Sequence, residues 1–154
     1  MKLSILITLL NEELVLAQTH KAISEKLESM ILSKELSDYE ILYVDDGSSD
    51  STLELIDAIA NENPRVKYIS FSRNFGRESG ILAGFKYATG DAVMVMDGDL
   101  QHPPYLIPLF VEAYKEGYDI VSGQRTRERE SFVGSFFDRS LYKFSNHSMD
   151  VKLT

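Results

Sequence analysis

The sequence predicts an α/β fold built on a mainly parallel sheet, and three observations predict it. Short apolar runs alternate with longer helical stretches along the whole 154-residue chain. Most of the runs are nearly continuous rather than alternating, as expected of strands buried on both faces. The runs also end in polar loops, and those ends fall on one edge of a parallel sheet.

The elements follow in order. Leu3 to Leu9 is the first predicted strand. With Lys2 before it, this short apolar stretch superficially matches a signal peptide, but Asn11-Glu12-Glu13 stands where a small-residue cleavage site belongs, so a strand is the better reading. Glu13 to Leu32 predicts a helix, Tyr39 to Val44 a second strand, Thr52 to Asn61 a helix and Val66 to Phe71 a third strand. Glu78 to Ala88 predicts the next helix, Ala92 to Met96 the fourth strand, Tyr105 to Lys115 a helix and Asp119 to Ser122 a fifth strand. Repetition of strand and helix implies right-handed crossovers. Gln124 to Ser131 is the one linker-like stretch. Beyond it Phe132, Phe136 and Phe144, with Val133, Phe137 and Leu141, form the apolar stripe of an amphipathic helix. That stripe fits either a domain core or a membrane surface.

Bulk properties bound the function. The length suits one domain with a sizeable core. A net charge of −8 disfavours a nucleic-acid binder, which normally presents a basic face. The absence of cysteine excludes thiolate catalysis, disulfides and thiolate-held metal clusters. No run of about 18 apolar residues occurs, so no segment reads as a membrane span. There is no G-x-G-x-x-G after the first strand and no G-x-x-x-x-G-K-[ST], which leaves a dehydrogenase and a P-loop NTPase unsupported. A receiver-like phospho-acceptor domain around Asp45 and Asp46 lacks the acidic pair after its first strand and the lysine after its fifth.

The chemistry-bearing point is Asp97-Gly98-Asp99, which closes the fourth apolar run. Residues i and i+2 of an extended segment project to the same side, so both carboxylates reach one hard cation, with the Gln101 amide oxygen two residues on. Such oxygen ligands suit Mg²⁺ or Mn²⁺, which complete their shells with waters and substrate phosphates. An acidic turn that caps the next helix would place the same residues there. The convergence of three further polar loops, Thr8 to Glu13, Asp45 to Asp50 and Arg73 to Arg77, favours an anion-and-metal site. Within these loops Ser49, Asp50 and Ser51 read as turn and helix-capping residues.

Taken together, Asn11-Glu12-Glu13, Asp45-Asp46-Gly47-Ser48-Ser49-Asp50, Ser72-Arg73-Asn74-Phe75-Gly76 and Asp97-Gly98-Asp99-Leu100-Gln101-His102-Pro103-Pro104 resemble the family 2 glycosyltransferases of GT-A fold. The nearest subgroup is the polyprenyl-phosphate glycosyltransferases, among them dolichol-phosphate mannose synthase and undecaprenyl-phosphate glucosyltransferases. The resemblance covers residues 2 to 153. It implies a Rossmann-like, mainly parallel sheet flanked by helices, and inverting transfer of a sugar from a nucleotide diphosphate donor, UDP-glucose favoured, to a polyprenyl phosphate. Thr8, Asn11 and Glu12 would then line the nucleoside, Asp46 would lie near base and ribose, and Arg73 and Gly76 would stand beside them. Asp97, Asp99 and Gln101 match the metal-binding D-x-D-x-Q. Arg125 matches the family's G-x-R, and Arg139 matches a second phosphate-binding arginine; the guanidinium fork suits phosphate. Asp99 and Arg125 would carry catalysis.

The departures are specific. Thr8 and Leu10 replace a usual Pro and Tyr, Gly98 a commoner Ala, and His102 a usual Asp. The implied division is a nucleotide-sugar-binding core over residues 1–125, then a basic loop and amphipathic helix over 126–154, before an acceptor-side region that related enzymes carry. The resemblance also implies work at the cytoplasmic face of a membrane, in the cell envelope. A truncated module that binds nucleotide sugar without completing transfer is the alternative. Neither donor sugar nor oligomeric state is legible here.

Overall fold

The computed structural model describes residues 1–98 and 103–123. The chain divides into two compact units, Met1–Leu109 and Phe110–Thr154. In the first, four parallel strands, β1 (Lys2–Leu9), β2 (Asp38–Asp45), β3 (Val66–Ser70) and β4 (Ala92–Asp97), form one sheet in the order β3-β2-β1-β4. Helices α1 (Leu16–Leu32), α2 (Thr52–Glu62) and α3 (Arg77–Tyr87) connect them. A single 3-10 turn, Pro104–Leu106, leads into α4 (Ile107–Lys115), which runs across the division between the units.

The order of strands explains the layers. The chain steps from β1 through β2 to β3, then crosses back to place β4 on the other side of β1. With right-handed crossovers this puts α1 and α2 on one face and α3 on the other. Side chains agree: Thr19 of α1 donates to the carbonyl of Gly98, and His20 of α1 bonds Tyr43 of β2, both on the face of Ile5, Ile7 and Leu9. The opposite face holds a cluster of Leu6, Leu42 and Val44, with Ile69, Phe71, Ile81, Val93 and Val95 packed against it.

The first two strands are buried almost throughout, as their continuous apolar runs predict. The third differs from that expectation. Only Val66 of β3 is fully buried, because β3 is the sheet's edge and pairs with β2 alone. The predicted fifth strand, Asp119 to Ser122, is likewise absent: these residues carry no strand, and only Val121 among them is even half-buried. Two apolar residues in four are too few to commit a segment to a sheet.

Helix α1 starts at Leu16 rather than Glu13. Asn11 adopts a left-handed φ of 57°, and Glu13 is held by its backbone and side chain to the β2 loop, so residues 11–15 form a turn before the helix begins. Once begun, α1 buries Leu16, Thr19, Ile23, Leu27 and Met30 as one stripe. Helix α3 is different. Its fully buried residues are Gly80 and Gly84, whose missing side chains let the helix backbone lie directly on Thr8 and Leu6 of β1.

At the amino edge of the sheet, Glu40 is 2% exposed yet fully partnered. It accepts from Ser4 Oγ at 2.7 Å, from the Thr89 backbone at 2.6 Å and from Lys67 Nζ at 2.9 Å. Burial pushes its carboxyl up, but the hydrogen bonds from Lys67, Ser4 and Thr89 outweigh burial and carry it down to about 2. His20, half-buried against Tyr43, is pushed below its ordinary value by desolvation. His102 and His147 lie outside the described residues.

Candidate functional site at the carboxyl edge of the sheet

All four strands run in one direction, so their carboxyl ends meet on one edge. The strand order reverses between β1 and β4, the point at which open α/β sheets bind ligands. Thr8 of β1 and Asp97 of β4 are register partners there.

The loop after β1 is fastened to the loop after β2 residue by residue. The Asn11 backbone donates to Ser48 Oγ at 3.0 Å, while Asn11 Oδ1 accepts from the Ser49 backbone at 2.8 Å. The Glu12 backbone donates to Thr52 Oγ1 at 2.8 Å and the Glu13 backbone to Asp50 Oδ2 at 3.2 Å. Ser49 and Asp50 are therefore ties between loops. Asp50 Oδ1 also accepts from the Thr52 backbone at 3.0 Å, whereas Ser51, at the helix cap, makes no capping bond with its side chain.

The two aspartates that end β2 are committed to the fold. Asp45 is 1% exposed and accepts from the Ser48 backbone at 3.1 Å and from Ser70 Oγ at 3.0 Å. Asp46 is 4% exposed, and its two oxygens accept from the Phe75 and Gly76 backbones at 2.7 and 2.9 Å. It thereby holds the loop after β3 against the loop after β2. Gly47 completes the contact. Its φ is +74°, and a Cβ on it would press into the carbonyl carbon of Arg73 and lie 2.6 Å from the Arg73 Cα. Above this junction the Arg73 guanidinium lies 4.7 Å from the centre of the Phe75 ring, which in turn meets Phe71 edge-on at 5.5 Å.

Asp97 stands apart from the buried pair. Its side chain is 25% exposed, and Oδ1 accepts from Arg77 Nη2 at 2.5 Å. The carboxylate thus already presents an oxygen to a cation, which is what one ligand of a hard metal must do. Its proposed co-ligands Asp99 and Gln101 lie outside the described residues, as do Arg125 and Arg139. Among the described residues no group of three or more acidic or histidine side chains is placed to hold a metal ion. A ligand set of two carboxylates and an amide oxygen nonetheless fits Mg²⁺ or Mn²⁺ in type.

Thr8, Asn11, Glu12, Asp46, Arg73, Gly76 and Asp97 are therefore gathered on one edge, Thr8 and Asp97 at strand ends and the other five within three interlocked loops. Sequence reasoning passed over Gly47, Phe75 and Arg77. For Arg77 a signal existed: it is the first residue of α3, where the helix dipole disfavours a cation, so its charge is needed by something outside the helix.

Comparison with known proteins bears on the family and the fold. A family model described as "Glycosyl transferase family 2" matches residues 4–149. The chain is 46% identical over 151 residues to the putative glycosyltransferase CsbB of Bacillus subtilis, covering 98% of this chain and 44% of that protein. It is 40% identical over 156 residues to the undecaprenyl-phosphate 4-deoxy-4-formamido-L-arabinose transferase of Proteus mirabilis, covering 99% of this chain and again 44% of the relative. The chain thus spans just under half the length of these relatives. Among solved structures, S. aureus TarS residues 1–349 superposes with a TM-score of 0.61 at 20% identity, over 83% of this chain and 39% of that one. The mannosyltransferase PcManGT from Pyrobaculum calidifontis, solved with GDP-Man and Mn²⁺, gives 0.53 at 19% identity, over 63% of this chain and 27% of that one. Both likenesses concern the fold, a GT-A arrangement of parallel strands flanked by helices.

Proposed function

The chain belongs to glycosyl transferase family 2, and from that premise we propose that it is the donor-binding part of an inverting enzyme that moves a sugar, glucose from UDP-glucose by preference, to a polyprenyl phosphate. The observation that carries the reading is Asp97, presented to a cation at the switch point of the sheet and flanked by three interlocked polar loops. Support for the lipid acceptor comes from the relative named as an undecaprenyl-phosphate sugar transferase. The preference for UDP-glucose rests on the subgroup resemblance.

In this reading Thr8, Asn11 and Glu12 line the nucleoside, with Asp46 fixing the loop that carries Arg73 and Gly76 beside it. Asp97, Asp99 and Gln101 would hold Mg²⁺ or Mn²⁺, which when bound supplies Lewis-acid neutralisation of the departing nucleoside diphosphate. PcManGT, which shares the fold, was solved with Mn²⁺. Arg125 and Arg139 bring fixed positive charge to the phosphates. The acceptor phosphate is already anionic at neutral pH, its second pKa being about 6, so positioning dominates over base catalysis. Among the described residues no helix is long and apolar enough to cross a membrane. In this reading the aromatic stripe expected from the sequence over residues 132–144 meets the membrane surface beside the lipid acceptor.

Titration calorimetry of the 154-residue chain with UDP, GDP and their sugars, with and without Mn²⁺, tests donor binding. A parallel transfer assay with undecaprenyl phosphate tests the activity. Metal-dependent binding with product formation supports the enzyme; binding without product supports a nucleotide-sugar-binding module; no binding in any combination overturns both.

A further inference from the structure

Arg77 reaches Asp97 because of how α3 lies on the sheet. Gly80, one turn into the helix, packs on Thr8, a Cβ built on it standing 2.9 Å from Thr8 Cγ2. Thr8 is the register partner of Asp97. The first turn of α3 is thereby set over the ends of β1 and β2, and the guanidinium, 54% exposed, reaches past β1 to Asp97 Oδ1 at 2.5 Å. The pair forms despite the unfavourable position of a cation at a helix start.

Resting on the donor-site reading above, we infer that Arg77 is an exchangeable counter-ion: it holds Asp97 before the divalent cation binds and passes to the donor diphosphate when the cation takes that oxygen. The electrostatics require the exchange. A divalent cation arriving at Asp97 and Asp99 beside an unmoved guanidinium would leave one positive charge uncancelled, and a diphosphate cancels it. Arg77 then has planar donors suited to phosphate oxygens. Cation and nucleotide consequently bind cooperatively, each raising the other's affinity by the same factor, and Arg77 carries part of that factor. Because the pair is exposed, the guanidinium gives way easily: it weakens binding of the cation alone by roughly twofold to fivefold.

The test is a Mn²⁺ titration of the purified chain, free Mn²⁺ being read by its electron paramagnetic resonance signal, alone and with saturating UDP or GDP. Wild type, Arg77→Gln and Arg77→Lys are compared, with thermal melts to establish folding. Arg77→Gln is expected to bind Mn²⁺ alone roughly twofold to fivefold more tightly, since the competing ion pair is gone. It is also expected to lose much of the gain in Mn²⁺ affinity that the nucleotide confers. Arg77→Lys keeps the charge without the fork and is expected to lose part of the nucleotide gain; should the glutamine variant fail to fold, this loss decides. If a folded Arg77→Gln binds Mn²⁺ no more tightly than wild type, or keeps the full nucleotide gain, the exchange is wrong while the donor site stands. If wild type binds neither Mn²⁺ nor nucleotide, the donor-site reading falls and the exchange with it.

Discussion

Replacing Gly47 by alanine should loosen the site more than any other single-methyl change at the carboxyl edge. The residue sits at φ +74°, a conformation that costs an L-residue about 1–2 kcal/mol. Its added Cβ would also stand 2.6 Å from the Arg73 Cα and 2.8 Å from the Asn74 nitrogen, well inside the 3.4 Å at which ordinary contact begins. All of these neighbours are backbone, so no side chain can rotate away and the β3 loop itself must shift, at about 1–3 kcal/mol more. The sum is about 3 kcal/mol. Gly76→Ala is the internal control. Its φ of +93° with ψ 152° is backbone essentially confined to glycine and costs an L-residue about 1–3 kcal/mol, but the nearest atom to a Cβ there is the end of Glu78 at 3.8 Å, so only this conformational part should appear. In urea, with a slope of about 1.5 kcal/mol/M, Gly47→Ala should have the lower midpoint, by the roughly 1 kcal/mol or more that the backbone clash adds. Nucleotide affinity should fall for Gly47→Ala because the Arg73 loop has moved. Equal midpoints for the two variants would refute the claim that backbone-to-backbone approach fixes this junction.

Other perturbations have equally definite outcomes. Asp46→Asn should lower stability by about 1–3 kcal/mol, because an amide nitrogen replaces an acceptor facing a backbone N–H, and calorimetric nucleotide binding should weaken with it. Glu40 titrates at about 2 in the fold against an ordinary 4.5, so its contribution is present above about pH 4.5 and is lost as pH falls toward 2. That is up to about 3 kcal/mol at 1.36 kcal/mol per pH unit, and denaturation midpoints of Glu40→Gln should show a correspondingly shallower acid slope. Asp99→Ala should abolish metal-dependent sugar transfer, as read by a radiolabelled-sugar assay; full retained activity would remove Asp99 from the ligand set.

Much of the fold was legible because the apolar runs are long and nearly continuous, and β1, β2 and β4 fall within a residue or two of their expected bounds. What was not legible depends on neighbours. The exposure of Lys67 and Tyr68 in β3 follows from its place at the edge, and strand order is not written in any one segment. The late start of α1 depends on Asn11 and Glu13 finding partners in residues 48–51, which are remote in sequence. For the site, loop placement was legible but division of labour was not. Asp45, Asp46 and Asp97 look alike as residues at strand ends. Burial alone separates the first two from the third.

That separation bears on function. A carboxylate that accepts from backbone N–H groups in a buried junction cannot change partner without unfastening loops, so Asp45 and Asp46 serve the site by staying still. Asp97 meets the opposite requirement. Its Oδ1 is held by an exposed guanidinium, a contact weak enough to be given up to a metal ion while it keeps the oxygen aimed. The amino edge makes the contrast sharper, since Glu40 there is as thoroughly partnered as Asp46 and serves stability alone. Asp45 and Asp46 are thus fastened by backbone and hydroxyl donors of the loop junction, whereas Asp97 meets an exposed guanidinium at the point where the sheet order reverses, and a contact of that kind can take part in a binding cycle.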